Sequence, residues 1–191
     1  GSGRSTQIAL LTEWLERRGH AVEHVGLKRS TLVANELATA KEGNVLSPRT
    51  LSLFYATDFA DQLEHRILPA LRAGFIVLAD RYIYTLMARD LVRGADLPWL
   101  QSVYSIALVP DLVMYLRVSP QKLMERYIYR GRELDYWESG MDIGYSRSWY
   151  DSFIRYQSEL HRTFNKLQAI YGFVTINGMR VPRAVTRDLQ T

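Results

Sequence analysis

The sequence predicts an α/β protein with a mainly parallel central sheet flanked by helices. Three observations carry that prediction. Segments whose apolar residues recur every three or four positions alternate with short β-branched runs, the alternation that builds crossover units. One run, "FIVLA" at 75–79, is apolar without a break, as expected of a strand covered on both faces. The 191 residues, 47% of them apolar, suffice for one sizeable core, and the expectation is a single domain over 1–191.

Taken in order, the first helix is expected over about 5–18, stopping at Gly19. "AVEHV" follows as a short strand and "KRSTLVANELATAK" as a second helix. In "SPRTLSLFYATDFADQLEHRILPALRAG", Ser47 is placed to cap a helix and Pro48 to occupy its first position. One long helix should run to about Arg72, disturbed near Pro69 and closed by Gly74. "FIVLA" then delivers Asp80 and Arg81 at the C-terminal end of a strand. Helical stretches at about 84–93 and 98–107 precede the strand "DLVMYLRV", and Ser119 with Pro120 opens a helix carrying Arg126 and Arg130. "GRELDYWESGMDIG" has three glycines, many charges and no helical period, so it is expected to be a loop. From Ser146, Trp149, Phe153, Tyr156, Leu160, Phe164, Leu167 and Tyr171 recur at spacings of three or four, a long amphipathic helix. "GFVTI" reads as the last strand and "VPRAVTRDLQ" as a terminal helix, with no internal repeat and no low-complexity linker.

Composition narrows the chemistry. Without cysteine there is no disulfide, thiolate metal site or thiol nucleophile, which fits a reducing compartment. No apolar stretch approaches the roughly 20 residues needed to cross a bilayer, and no signal-peptide pattern opens the chain, so a soluble, cytoplasmic protein is expected. The formal net charge of +4 suits anionic ligands. Its basic residues are scattered, which does not favour nucleic acid as partner.

The opening "GSGRSTQ" is built like the end of a phosphate-binding loop. Such a loop aims backbone N–H groups and a helix N-terminus at phosphate oxygens. Gly1, Ser2 and Gly3 would give the close approach, Arg4 the cation, and Ser5 or Thr6 the hydroxyl for Mg²⁺. A linker in front of an ordinary helix is the other reading of these residues. Asp80 and Arg81 stand where open α/β sheets place their ligands. A carboxylate there can hold Mg²⁺ or take a proton from a hydroxyl acceptor, and a structural ion pair is the alternative. Arg126, Arg130 and Arg132 gather at the start of the expected loop, where they can neutralise a transferring phosphoryl group or form a solvated helix end.

Together these segments resemble the thymidylate kinase family of P-loop nucleoside monophosphate kinases. The resemblance is carried by "GSGRSTQ", "KRST", "FYATDFADQLEHRILPAL", "DRYIYT", "PDLVMYLRVSP" and "YRGRELD", in that order along nearly the whole chain. It implies a three-layer P-loop NTPase fold, ATP as phosphoryl donor, Mg²⁺, a nucleoside monophosphate acceptor and a homodimer formed through the long third helix. Gly1, Ser2, Gly3, Arg4, Ser5 and Thr6 would then hold the donor phosphates, with Ser5 and Asp80 at the metal. Asp80 and Arg81 would lie between donor and acceptor phosphates, and Arg126, Arg130 and Arg132 would belong to a lid over about 130–145. The resemblance also puts a central strand ahead of Gly1, so a real N-terminal segment is expected to precede the sequence.

The chain departs from that pattern in three places. Arg4 replaces the usual lysine, a forked and permanently charged group in place of a compact ammonium. Phe59 stands where the family carries an arginine for the acceptor phosphate, so dTMP is expected to be phosphorylated poorly unless Arg89 or Arg93 supplies that charge. After "DRY", Arg89-Asp90 replaces the family's Tyr-Gln pair near the acceptor sugar and base, while Phe54 and Tyr55 are candidates to line the base pocket. The expected function is phosphorylation of dTMP or a related nucleotide. A deoxynucleoside kinase, or a nucleotide-binding module with a decayed acceptor site, stays open beside it.

Overall fold

The computed structural model of the chain describes residues 1–42, 46–129, 131 and 134–190. It divides into two compact units, Ile8–Val109 and Gly1–Gln7 with Pro110–Thr191.

In the first of these units, two parallel strands carry the candidate site. β1 (Val22–Gly26) pairs with β2 (Ile76–Asp80) in a register that sets Val22 opposite Ile76 and Gly26 opposite Asp80. The connection between them is helical: α2 (Ala34–Glu42), α3 (Pro48–Gln62) and α4 (Leu68–Arg72). Ser47 caps α3 by accepting the Thr50 N–H, with Pro48 in the first turn, as its sequence indicates. The expected disturbance near Pro69 is a π-helical turn, Leu63–Ile67, in which the Leu68 N–H reaches back to the Leu63 carbonyl. Pro69 brings no N–H of its own, so the widened turn lies just ahead of the residue that cannot continue the α-ladder.

Two expectations are corrected here. The second helix begins at Ala34 and not at Lys28, because residues 28–33 use their polar groups in a turn. Ser30 Oγ accepts the N–H groups of Leu32 and Val33, an alternative to helical bonding that serine offers readily. β2 is half-buried, with Ala79 exposed, and is not covered on both faces. Among the described residues it pairs on one edge only, with β1, and a two-stranded sheet leaves much of each strand open.

From β2 the chain enters α5 (Ile83–Val92) and α6 (Leu97–Val103). Apolar positions 83, 86 and 87 of α5 are buried, and α5 packs against α3 and α6.

The other unit holds β3 (Met114–Arg117) and β4 (Val174–Asn177), also parallel, with α7 (Pro120–Tyr129), α8 (Trp149–Tyr171) and α9 (Pro182–Gln190). Ile176, Val185 and Leu189 form a small core with Met114 and Leu116 against it. α8 buries Phe153, Tyr156, Leu160 and Leu167 on the stripe its period predicts. The expected loop after α7 contains a short 3₁₀ turn, Met141–Ile143. The first turn of α1 (Arg4–Glu16) belongs to this unit: Gln7 Nε2 donates to the Pro182 carbonyl, and the Thr186 hydroxyl donates to Gln7 Oε1.

Candidate functional site

The C-terminal edge of the β1–β2 pair is built with unusual care for a surface. Asp58 on α3 is wholly buried, and its carboxylate accepts the backbone N–H groups of Lys28 at 2.8 Å and Ser30 at 2.9 Å. One turn on, Gln62 brackets Gly26, accepting its N–H at 3.2 Å and donating to its carbonyl at 2.8 Å. The Ser30 hydroxyl donates to Asp61 at 2.6 Å. Asp58 and Gln62 thus hold the end of β1 and the loop after it by the backbone, Asp61 holds it through the Ser30 hydroxyl, and Lys28 and Arg29 are left exposed. Gly26 is required there, since a Cβ would lie 2.7 Å from the Asp80 carbonyl oxygen and 3.4 Å from Arg29 Nε.

Two residues beyond the strand ends have left-handed backbone: Lys28, two residues past β1, at φ 59° and Arg81, directly after β2, at φ 69°. For side chains larger than glycine that conformation costs about 1–3 kcal/mol and is kept where the surroundings enforce it, a pattern common at ligand sites. Arg81 follows Asp80 directly and lines a small cavity with Gly26, Asp58, Phe59, Tyr82 and Leu86. The Tyr82 hydroxyl donates to the Leu108 carbonyl at 3.0 Å. Burial, then the neighbouring Tyr84, push its pKa up to about 12, so Tyr82 is a neutral wall and not a base.

The phosphate-loop candidate lies in the other unit. Gly3 has φ 91°, a turn that a side chain would strain, and α1 starts at the next residue, so the backbone enters a helix N-terminus there. Arg4 Nε donates to Ser2 Oγ at 3.3 Å, and Ser5 and Thr6 are exposed. Arg126 reaches this loop: its guanidinium donates to the carbonyls of Gly1 at 3.2 Å, Ser2 at 3.4 Å and Gly178 at 2.9 Å. Its side chain therefore touches the loop backbone. Arg130 and Arg132, expected beside it in the lid, lie outside the described residues.

The residues expected near the acceptor fall on α3 and α5. Phe54 is half-buried and Tyr55 buried. Phe59, in the place of the expected arginine, is buried with its ring edge-on to Tyr82 at 5.3 Å and to Tyr104 at 6.2 Å. Arg89 and Arg93 are half-buried, and Arg93 donates to the Arg89 carbonyl. Sequence reasoning passed over Arg29 as a site residue. Its signal was available: it lies three residues after β1, at the sheet edge where ligands of α/β proteins bind.

The thymidylate kinase family model matches residues 1–166. The chain belongs to the thymidylate kinase family. A probable thymidylate kinase 2 of Saccharolobus solfataricus is 37% identical over 191 residues, covering 100% of this chain and 89% of that protein. A probable thymidylate kinase of Pyrococcus horikoshii is 34% identical over 139 residues, 69% of this chain and 67% of the relative. A thymidylate kinase of Gloeobacter violaceus is 34% identical over 142 residues, covering 71% and 67% respectively. The likeness to the thymidylate kinase family thus runs through both units.

Ser5 and Asp80 offer hard oxygen donors, the kind Mg²⁺ takes from protein while it keeps water and phosphate as its other ligands. Among the described residues no group of three or more His, Cys, Asp or Glu side chains could hold a metal. Among the same residues no helix is long and apolar enough to cross a membrane.

Proposed function

We propose that the protein transfers the γ-phosphoryl group of ATP to dTMP. The carrying observation is the edge of the β1–β2 pair, where Gly26 lies against the Asp80 backbone and Arg29, Arg81 lines the cavity beside it, and the loop after β1 is held by buried Asp58 and Gln62. Arg81 and Arg29 bind the acceptor phosphate, taking the place of the cation absent at Phe59. Each charged contact is worth about 1.5–3 kcal/mol. Asp80 orients the acceptor oxygen and holds its proton close. Gly3 and the first turn of α1 offer backbone N–H groups to the donor phosphates, with Arg4 as the cation and Arg126 steadying the loop by its carbonyls. Mg²⁺ would neutralise charge on the β- and γ-phosphates when bound, and the Ser5 hydroxyl and the Asp80 carboxylate are each an oxygen donor of the kind it takes.

The family implies the P-loop NTPase fold with a parallel central sheet, and the two parallel pairs are consistent with it. A homodimer through α3 and a lid over about 130–145 belong to the same reading.

A second reading is favoured by Phe59 alone: a buried aromatic ring suits an uncharged acceptor, as in a deoxynucleoside kinase. ADP release, followed with dTMP, dUMP, dCMP, dGMP and thymidine as acceptors, separates the two. Turnover of dTMP is the expected result. Turnover of thymidine without dTMP would replace the proposal with the second reading, and ATP binding with no acceptor used would defeat both.

A further inference from the structure

The donor side of the reaction just described rests on one face of α7. Leu123 and Tyr127 are four positions apart on that helix and so share a face, and Gly1 lies against both. A Cβ on Gly1 would stand 3.1 Å from Tyr127 Cε2, 3.3 Å from Tyr127 Cδ2 and 3.4 Å from Leu123 Cδ2, so the candidate phosphate loop meets the ring through bare backbone. Arg126, between the two, donates to the Gly1 and Ser2 carbonyls. The far end of the Tyr127 side chain is held elsewhere: its hydroxyl donates to Glu138 Oε2 at 2.6 Å, and its ring meets the Phe153 ring edge-on at 5.6 Å. Phe153 is itself buried on α8.

Glu138 is a fixed anchor for that hydroxyl. Its N–H donates to Asp135 Oδ1 at 2.9 Å, and its carbonyl accepts from Gln157 Nε2 of α8 at 3.2 Å. The next residue, Ser139, is wholly buried and donates its hydroxyl to the Asp135 carbonyl at 2.8 Å. Gly140 follows at φ 68°, where a Cβ would lie 2.7 Å from Tyr156 Cβ of α8. Residues 135–140 are thus packed onto α8, and Tyr127 runs from that packed turn to the loop. Held at the hydroxyl and along the ring, it passes the position of α8 on to Gly1.

We propose that Tyr127 is a positioning residue of the donor site: its ring seats Gly1, and the hydroxyl bond to Glu138 keeps the ring where the loop needs it. The proposal rests on the reading of residues 1–6 as the loop that holds the ATP phosphates, and deepens it. Arg126 grips the loop by its carbonyls and sets how tightly it is held. Tyr127 sets where. Phosphoryl transfer needs the γ-phosphorus in line with the acceptor oxygen, and its catalysis is almost entirely placement and electrostatics. A displacement of about 1 Å at such a centre can cost about a hundredfold in rate. Loss of the hydroxyl frees the ring to turn, and Gly1 shifts with it. The acceptor side, built on the β1–β2 edge, includes none of these residues, so the effect falls on ATP.

The experiment measures KM for ATP, KM for dTMP and the urea midpoint in the full chain, for the wild type, Tyr127→Phe and Tyr127→Leu. The first variant keeps the ring and loses the bond to Glu138, and the second loses both. In Tyr127→Phe, KM for ATP should rise about tenfold, the lower end of what a hydrogen bond to a charged group is worth, with KM for dTMP within about twofold of wild type. Tyr127→Leu should rise further on ATP and still spare dTMP. Kd for ATP, read by equilibrium dialysis without acceptor, should rise in step, so the outcome does not hang on which acceptor is used. A side chain that served stability alone would lower the urea midpoint and leave ATP binding in place. Kd and KM for ATP unchanged in both folded variants, or an equal rise in KM for ATP and dTMP, overturns the proposal alone. A wild type that binds no ATP removes it together with the loop assignment beneath it.

Discussion

At the scale of single residues, the site is held by backbone contacts as much as by charges. Arg126 donates to three carbonyls, two of them in the candidate phosphate loop. Arg126→Ala should raise KM for ATP about tenfold or more, measured at saturating dTMP, since a charged hydrogen bond is worth about 1.5–3 kcal/mol. Arg126→Lys should recover part of that loss, because an ammonium cannot span three acceptors as a fork does. An unchanged KM in both variants would count against the loop assignment. Asp58→Ala leaves the N–H groups of Lys28 and Ser30 without their acceptor, and it should cost about 2–5 kcal/mol in urea denaturation. Much of this scale was legible in the sequence. Asp80 and Arg81 follow an apolar run, and Phe59 is visible as a missing charge. Asp58 was not legible as an anchor, because a carboxylate in a helix reads the same whether it meets solvent or the backbone of a loop 30 residues away.

At the scale of elements, period and caps placed α3, α8 and α9 well. Ser47, Pro48 and the stripe from Phe153 to Leu167 encode their own helices. The start of α2 was misplaced because Ser30 and its neighbours look helical by composition and become a turn only when Asp58 and Asp61 capture them. Exposure of β2 was likewise hidden, since an apolar run states what a strand can bury and not how many neighbours it has. The close pairing of β1 with β2 yields a prediction of its own. Gly26→Ala would push a methyl group to 2.7 Å from the Asp80 carbonyl, so the strands must part at the end that presents Asp80 and Arg81. A loss of about 1–3 kcal/mol in stability is expected, with kcat falling further than the change in folded fraction explains. Full activity in Gly26→Ala would mean that the strand ends need not lie so close.

For the molecule as a whole, Asp90 makes stability depend on pH in the sense opposite to a salt-bridged carboxylate. Its pKa is higher in the folded protein than in the unfolded chain, chiefly through burial. The folded state therefore holds the proton over a range where the unfolded state has released it. The contribution is full below the ordinary aspartate range and is lost as the pH rises through the folded pKa. Asp90→Asn, neutral at every pH, should denature at higher urea than wild type at pH 7, and the difference should vanish toward acid. A variant weaker than wild type at neutral pH would show that the hydrogen bond from Ser52 outweighs the burial of charge. Asp90 thus costs stability at neutral pH through the burial of its charge.

The bracket that α3 places on the loop after β1 also leaves a signature in time. A loop of exposed lysine and arginine would ordinarily trade its amide protons with solvent at once, yet the amides of Gly26, Lys28 and Ser30 are each bonded to a side chain of α3. Those three amides should exchange with deuterium only when α3 itself lets go, at the pace of strand amides rather than of surface turns. Asp58→Ala should release the second and third by orders of magnitude and leave the first, held by Gln62, slow. Under the proposed function the acceptor would meet a loop already held in shape, and little ordering entropy would be lost at the moment of capture.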